Sequence, residues 1–280
     1  MSLHTDCPQE EAAHPAQPAP VSGAAERASK RGPSWYLDPL AAEQKRRVFL
    51  TWILNSAGSM CPEVVLKTDL FEEANNHDDV LWDLYAAPRI RIGIDLDPHT
   101  PARAAARCAD RQAVYLAADV RRLPLPPGSV DVIVSTSTLD HFEDQVDLRA
   151  AIVELARVLR PGGRLFLVLD NPRNPLYPLM RWASRRGWMP FTLGETLSAP
   201  AMLRELESAG LRADRVAGFI HNPRIFTTLL FLALRRVLGR HADGPVRALL
   251  ALFALAGWLP TWPWTACFLG TCATKPAPLE

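Results

Sequence analysis

The apolar and polar positions between residues 64 and 170 follow two alternating periods. Short apolar runs predict strands at 64–66, 89–95, 113–117, 130–135 and 164–169, and i, i+3, i+4 spacing predicts helices at 72–86, 101–108 and 148–159. Strands and helices alternating at this interval are typical of parallel βαβ units. The pattern predicts an α/β fold with a doubly wound, Rossmann-like sheet, helices on both faces and ligands beyond the C-terminal strand ends.

The flanking segments complete a single predicted domain over residues 34–280. Residues 1–33 are rich in proline and poor in large apolar side chains, which predicts a disordered tail. Helical spacing across 34–60 predicts an amphipathic helix that either covers the ligand site as a lid or packs on the sheet edge. A helix at 199–209 ends at Gly210, and residues 212–220 predict a sixth strand.

An apolar insertion is predicted at 223–262. Residues 226–238 are strongly apolar, and no charged residue occurs between 248 and 274. Pro260 and Pro263 interrupt this second run, so the helix it predicts is too short to span a membrane. Three interpretations remain open for 226–262: a cover over an apolar substrate pocket, a peripheral membrane contact or a homodimer interface.

Composition excludes some partners. The formal net charge is +1 and the arginines are scattered, so we expect no nucleic-acid partner. The five cysteines are odd in number and match no metal-ligand spacing, and no secretory signal pattern begins the chain. We therefore expect a cytoplasmic protein without a metal site, with membrane association left open by the apolar insertion.

The motifs at the strand ends suggest a family. Asp95 ends the second strand, Asp119 follows the third, Ser135 and Thr136 end the fourth, and the fifth begins after the pentapeptide 159–163, Leu-Arg-Pro-Gly-Gly. This order resembles the class I S-adenosylmethionine-dependent methyltransferases of the type 11 group. The resemblance implies S-adenosylmethionine as cofactor and a seven-stranded sheet, mostly parallel, whose last strand (266–274) is antiparallel.

The resemblance also assigns roles to individual residues. Asp95, with Leu96 beside it, is expected to accept both ribose hydroxyls, although Asp97 remains an alternative and aspartate often ends a strand in a turn. Asp119 is expected to accept from the exocyclic amine of adenine while the amide of Val120 donates to a ring nitrogen. Capping of free amides is the alternative for Asp119. Ser135 and Thr136 are expected to face the methyl-donor pocket.

The glycine-rich loop of the family is missing after the first strand. The family has Asp/Glu-x-Gly-x-Gly-x-Gly there, whereas this chain has Lys67 at the acid position and no glycine between it and Ala74. Two interpretations follow: either Asp69 or Glu72 binds the cofactor's ammonium group in a shifted pose, or the cofactor site has been lost. Carboxylates at this helix start also disfavour the pyrophosphate of NAD(P).

The acceptor side is predicted less sharply. His141, in the Leu-Asp-His-Phe segment, is a candidate general base, with a structural role as the alternative. Candidate acceptor contacts are Asn171, Asn174, His221 and Arg224. The sequence therefore predicts methyl transfer to a small, apolar acceptor. The alternative is an inactive methyltransferase-like subunit that binds a partner through its apolar C-terminal helices.

Overall fold

The computed structural model describes residues 38–58, 60–75, 80–85, 88–108, 113–189 and 192–277, so the predicted tail at 1–33 lies outside the described residues. The strands are Val64–Thr68 (β1), Ile90–Asp95 (β2), Val114–Ala117 (β3), Val130–Thr136 (β4), Leu159–Asp170 (β5), Arg212–Ala213 (β6), Ala217–Phe219 (β7) and Phe268–Thr274 (β8). The helices are Pro39–Ala57 (α1), Phe71–Asn75 (α2), Val80–Asp83 (α3), His99–Arg107 (α4), Gln145–Val158 (α5), Tyr177–Arg185 (α6), Ala199–Ser208 (α7), Arg224–Leu238 (α8), Asp243–Ala254 (α9) and Trp262–Thr265 (α10).

The described strands form one sheet in the order β3-β2-β1-β4-β5-β8-β6, with β7 also paired to β8. Strands β1 to β5 are parallel, and β8 runs antiparallel to β5. The predicted fold class is thus confirmed. The strand order reverses between β1 and β4, and this switch point is where open parallel sheets bind ligands.

Two predicted elements differ in detail from the structure. The sixth strand, expected at 212–220, is divided into β6 and β7, so the sheet has eight strands rather than seven. Between them Asp214 accepts a hydrogen bond from the Thr271 hydroxyl and donates its own amide to the Cys272 carbonyl, which keeps the chain beside β8 without a regular ladder. The helix predicted at 72–86 is replaced by the short helices α2 and α3.

Both faces of the sheet are buried because successive strand residues point to opposite sides. Leu66, Ile133 and Leu165 pack into one apolar cluster, which includes α5 and α7. Their neighbours Val65 and Phe166 join a second cluster, which includes the α1 residues Leu50, Ile53 and Ala57. The parallel strands are therefore apolar along most of their length, as a sheet covered on both faces requires.

Helix α1 packs on the sheet through one side. Asp38 caps its first turn by accepting from the Leu40 amide at 2.9 Å, and Pro39 fits the first helical position. Trp52 meets Phe166 of β5 edge to face, with ring centroids 5.5 Å apart. The helix predicted as a lid or an edge helix therefore packs against one face of the sheet, where it contacts side chains of β1, β4 and β5.

The predicted insertion at 223–262 lies between β7 and β8 and contains α8 and α9. Phe231 of α8 packs against Val246 and Leu250 of α9, and this cluster extends to Leu40 at the start of α1. Within the described residues, none of the helices combines the length and the apolar character that crossing a bilayer requires.

Candidate functional site

The predicted site residues follow the C-terminal ends of parallel strands, which meet at one edge of the sheet. Asp95 ends β2, and the backbone amide of Ala118, just after β3, donates to its carbonyl at 2.9 Å. Asp95 is directly paired with Ala117, so Asp119 follows only two residues beyond that pair. The topology of the sheet thus brings these two carboxylates to the ends of adjacent strands.

Asp95 and Asp97 use their carboxylates differently. Asp95 accepts from the Leu70 amide at 3.2 Å and from the Asp97 amide at 3.0 Å, so it faces the loop after β1. Asp97 accepts from the His99 amide and the Thr100 hydroxyl, both at 3.1 Å, and so caps α4. Asp95 therefore contacts the loop after β1, whereas Asp97 contacts the first turn of α4, and Leu96 between them is 69 % exposed.

Asp119 makes the capping contact that the sequence analysis gave as its alternative role. It accepts from the Arg121 amide at 2.9 Å, which is a capping contact, and the Arg121 guanidinium binds both carboxylate oxygens at 2.6–3.0 Å. The hydrogen bond from Arg121 lowers the pKa of Asp119 and keeps it ionised. The Asp119 side chain remains 32 % exposed, so its carboxylate can accept one more hydrogen bond beside that of Arg121. The neighbouring Val120 is buried.

Hydroxyl groups at the end of β4 form a hydrogen-bonded chain with Thr68 and Thr138, which the sequence analysis had not connected to Ser135. Thr68 of β1 donates to Ser135 at 2.9 Å, and its hydroxyl lies 2.8 Å from that of Thr138. Thr136 is partly buried beside them. Ser137 has a left-handed backbone (φ 52°), and its buried hydroxyl has no partner among the described residues. Within the described part of the chain, the Ser137 hydroxyl is therefore a buried polar group without a hydrogen bond.

Lys67 is buried at the end of β1, where the family places an acid. Its Nζ lies 2.9 Å from Glu73 and 3.5 Å from Glu72, and it also donates to the Asp69 carbonyl. Burial lowers the pKa of Lys67. The neighbouring carboxylates, chiefly Glu73 and Glu72, together raise that pKa by more than burial lowers it, so it is held above its ordinary value. Glu73 was missed from the sequence, although a buried lysine on a strand requires a nearby acid.

The loop after β1 keeps one property of a glycine-rich loop. Asp69 stands two residues after Lys67, where the first glycine of the family motif would stand, and its φ is 101°, a region that normally favours glycine. Its amide donates to the Ile94 carbonyl at 2.8 Å, and its carboxylate accepts from the Phe71 amide at 2.6 Å. The backbone conformation is thus retained with an aspartate.

The two acids of this loop have opposite pKa shifts. Burial and the neighbouring Glu72 raise the pKa of Asp69 to about 7. Burial also raises the pKa of Glu72. The positive charges of Lys67 and Lys45, with hydrogen bonds, lower that pKa by more than burial raises it, so Glu72 is held ionised. Glu72 is 28 % exposed and therefore offers a negative charge to a ligand at this loop.

His141 and Asp140 lie in the short segment that follows β4. The His141 Nδ1 atom is 2.8 Å from the Thr192 carbonyl, so Nδ1 carries the proton and Nε2 is left as acceptor in the neutral ring. Burial lowers the pKa of His141, but Asp140 and the Thr192 hydrogen bond raise it above its ordinary value. His141 would therefore act as a base only above that raised pKa.

Asp140 is a buried carboxylate that the sequence analysis did not select. One oxygen accepts from the Asp170 amide at 2.8 Å, and the other has no partner among the described residues. Burial and the nearby Asp170 raise the pKa of Asp140 from 3.8 to about 6. An unpartnered carboxylate beside His141 is typical of a functional group whose partner is a ligand.

We expect Asp140→Asn to stabilise the protein at alkaline pH. The pKa of Asp140 is raised on folding, so its ionisation costs stability between about pH 4 and pH 6 and has its full cost above that range. The variant should gain about 2 kcal/mol in free energy of unfolding at pH 8 and nothing at pH 4. Urea denaturation at both pH values, with exposed Glu207→Gln as control, measures this. A difference that does not change with pH would contradict it.

The candidate acceptor residues mainly hold the end of the insertion. The Asn171 side-chain amide donates to the carbonyls of Pro263 and Ala266 at 2.9 Å, and that of Asn174 donates to Thr265 and Ala266 at 3.3 and 3.2 Å. These amides therefore fix α10 against the end of β5, a role that sequence reasoning did not foresee.

Arg224 and His221 connect the insertion to the same region. The Arg224 Nη1 atom lies 2.5 Å from an Asp170 carboxylate oxygen, and Asp170 is buried. The His221 Nδ1 atom is 2.9 Å from the Thr265 hydroxyl, and burial lowers the pKa of His221. A small cavity at this place is lined by Asn171, Asn174, Leu176, Tyr177, Met180, Arg224 and Cys267. Three of the four predicted acceptor residues thus share one cavity, and His221 lies outside its lining.

Comparisons with known proteins concern the sequence of part of the chain and the fold of the whole. Residues 81–167 match the family model of the methyltransferase domain. A probable S-adenosylmethionine-dependent methyltransferase of Mycolicibacterium smegmatis is 35 % identical over 135 residues, which is 46 % of each chain. The chain therefore spans less than half the length of this relative.

Solved structures share the fold at low identity. The N-methyltransferase NodS of Bradyrhizobium japonicum, in complex with S-adenosyl-L-homocysteine, aligns with a TM-score of 0.55 at 17 % identity, covering 90 % of this chain and 97 % of NodS. The cyclase SpnF aligns with a TM-score of 0.56 at 18 % identity, covering 83 % and 81 %. Part of the chain thus matches a methyltransferase domain, and the whole shares the fold of S-adenosylmethionine-dependent methyltransferases.

Proposed function

We propose that this protein transfers a methyl group from S-adenosylmethionine to an oxygen, nitrogen or carbon atom of a small, apolar acceptor. The observation that carries the proposal is the pair of carboxylates, Asp95 and Asp119, at the ends of the adjacent strands β2 and β3. In a sheet of this order, ligands bind at this edge. A protein of this fold with carboxylates there has the groups that a nucleoside needs.

The residues present fit the adenosine part of the cofactor. Asp95 is partly exposed, and its two oxygens can each accept one ribose hydroxyl in addition to their backbone contacts. Asp119 offers an accessible acceptor for an exocyclic amine next to the Arg121 guanidinium. When bound, S-adenosylmethionine supplies a methyl group on a positively charged sulfur atom.

The methionine part would be held by charges different from those of the family pattern. Lys67 replaces the usual acid, but its charge is compensated by Glu73 at 2.9 Å in the interior. Glu72 is ionised and partly exposed, so it can attract the ammonium group, and Asp69 keeps the left-handed backbone of the missing glycine. This favours a rebuilt site over a lost one.

The acceptor would lie between the end of β5 and the insertion. The cavity there is lined by apolar groups of Leu176, Tyr177 and Met180 together with the amides of Asn171 and Asn174, and, since it has room for about one water molecule, it would have to widen to admit an acceptor. Because methyl transfer depends mainly on the alignment of donor and acceptor, these contacts would supply most of the rate enhancement. His141 would take up a proton at Nε2 when the acceptor has one to lose.

We expect Asp95→Asn to weaken binding of S-adenosyl-L-homocysteine by about ten- to a hundredfold. The variant replaces charge-assisted hydrogen bonds to the ribose by weaker neutral ones. Isothermal titration calorimetry of the full chain measures the change. The product is used as the probe because it does not react during the titration.

The matched control is Asp97→Asn, two residues away. The Asp97 carboxylate caps α4, and an asparagine caps a helix nearly as well, so its affinity should equal that of the unaltered protein. Weakening by Asp97→Asn and not by Asp95→Asn would show that the ribose acid has been misassigned. Absence of binding by the unaltered protein at high micromolar ligand would reject the enzyme proposal.

The close packing beneath the loop after β1 supports a second candidate, a methyltransferase-like binding subunit without activity. Leu70 packs so closely on β2 that a Cβ on Gly93 would lie 2.4 Å from its Cδ2 atom, which leaves little space under this loop. If neither S-adenosylmethionine nor its product binds, this candidate takes precedence, and the exposed helices of the insertion become the main functional surface.

A further inference from the structure

Helices α8 and α9 each expose an apolar side to solvent. On α8 the exposed positions include Phe226, Leu229, Leu230, Ala233 and Val237, which recur at helical spacing and therefore lie on one side. Phe226 and Leu229 are 60 % and 61 % exposed, and Val237 is 80 % exposed. We call this side, with its counterpart on α9 and the following turn, the outer face.

The outer face continues along α9 and into the turn after it. Ala248, Ala251, Leu252 and Leu255 are exposed at the same helical spacing, and Trp258 is 89 % exposed. The buried side of the pair is also apolar, since Phe231, Val246 and Leu250 form its internal cluster. A helix of a globular protein normally has a polar outer side, so these two helices are built to meet a second apolar medium.

Positive charges accompany the outer face. Arg236 on α8, Arg240 in the turn between the two helices and Arg247 on α9 are exposed. The only acidic residue in 224–262 is Asp243, which forms an ion pair with Arg235. An exposed apolar side with arginines and no competing carboxylates is complementary to a lipid surface that carries negative headgroups.

Tryptophan lies where such a surface would begin. Trp258 and Trp264 are 89 % and 54 % exposed in the segment that follows α9. The indole ring combines a large apolar area with one polar N–H group, and it is enriched at the boundary between acyl chains and headgroups. We propose that the outer face binds the surface of a bilayer containing anionic lipids, with its apolar side chains between the headgroups.

A second copy of the chain is the less suitable occupant. A symmetric dimer through the outer face would bring the three arginines of one copy close to those of the other. Because Asp243 is already paired with Arg235, which also binds Asp38 at 2.8 Å, the face has no carboxylate to compensate them. Charge complementarity therefore favours the anionic surface.

Vesicle sedimentation with the full chain tests the proposal. We expect the protein to sediment with phosphatidylcholine–phosphatidylglycerol vesicles, to bind pure phosphatidylcholine vesicles more weakly, and to lose the difference at high salt. The triple variant Arg236→Ala, Arg240→Ala, Arg247→Ala should bind anionic vesicles about a hundredfold more weakly, since each arginine near the surface contributes about fivefold. The triple variant Leu229→Ser, Val237→Ser, Trp258→Ser should lose binding to both vesicle types.

The matched control is Val153→Ser with Arg204→Ala. These exposed residues lie on α5 and α7, which cover the other face of the sheet from α1 and the insertion, and their substitution should leave binding unchanged. Failure of the unaltered protein to bind anionic vesicles would overturn the proposal. So would a dimer in analytical ultracentrifugation that the Leu229, Val237 and Trp258 variant dissociates, since a second copy would then cover the face.

A second measurement does not depend on the folding of the variants. Tryptophan fluorescence of the unaltered protein should be quenched by vesicles of brominated phosphatidylcholine and phosphatidylglycerol, and Trp258→Phe should reduce the quenching. Unquenched fluorescence in sedimented protein would place the bound surface elsewhere and contradict the proposal. Because vesicle binding needs no cofactor, its outcome is independent of the titrations with S-adenosyl-L-homocysteine.

Discussion

Replacement of Lys67 by methionine should reduce the free energy of unfolding by about 3–5 kcal/mol. The side chain of Lys67 is 1 % exposed, and its Nζ lies 2.9 Å from Glu73, which is fully buried. Methionine preserves most of the volume but leaves the Glu73 carboxylate without its cation in the interior, which is the costly way to break a buried ion pair. Guanidinium denaturation followed by circular dichroism measures the loss.

The pH dependence and a double variant separate charge from packing. In Lys67→Met the stability should recover towards acidic pH, because protonation removes the unpaired charge of Glu73. The double variant Lys67→Met, Glu73→Leu removes both charges and should recover at least half of the loss. A loss below about 1 kcal/mol, or one that does not depend on pH, would show that Glu73 is not the group stranded by the substitution.

Gly194→Ala should cost about 3 kcal/mol in free energy of unfolding. A Cβ atom at Gly194 would lie 2.1 Å from the Phe142 carbonyl oxygen and 2.7 Å from the carbonyl carbon of His141. Both are backbone atoms, and the segment is held there because the Gly194 amide donates to Asp140 and the Glu195 amide to Phe142. The alanine therefore separates two hydrogen-bonded loops, and overpacking against backbone is strongly destabilising.

The same glycine-to-alanine change can be made where space is free. A Cβ at Gly244 meets no atom within 4 Å, and Gly244 lies in the first turn of α9, so Gly244→Ala should be neutral or stabilise by up to about 1 kcal/mol. Thermal unfolding of the two variants side by side measures the contrast. Equal melting temperatures would mean that the loops at Phe142 and Gly194 separate without cost.

Local sequence patterns were sufficient for the central strands. The runs at 89–95 and 130–135 became β2 and β4 because Ile92 and Ile94 of β2 and the apolar residues of β4 are buried, which is the condition that the pattern reports. The break between β6 and β7 was not visible, because it depends on contacts of Asp214 with the distant strand β8. Contacts between residues far apart in sequence are absent from any local period.

In the candidate site, too, local patterns predicted some residues, and contacts between distant residues hid others. Asp95 and Asp119 were found because each follows a predicted strand, and the topology then brings adjacent strand ends together. The pairing of Lys67 with Glu73 and the burial of Asp140 were not found, since pairing and burial of charges are three-dimensional properties. The positive φ of Asp69 was also hidden, because aspartate is an uncommon residue for that backbone conformation.

The position of the insertion has a further consequence for how this chain can vary. Phe219 at the end of β7 and Phe268 at the start of β8 are direct partners in an antiparallel pair, so residues 220–267 leave and re-enter the sheet at neighbouring points. Residues opposite each other in such a pair are only about 5 Å apart, a distance that a short turn can also close. The insertion is therefore a long connection between two neighbouring antiparallel strands. Its outer part can be lengthened, replaced or removed without altering the strand order of the sheet.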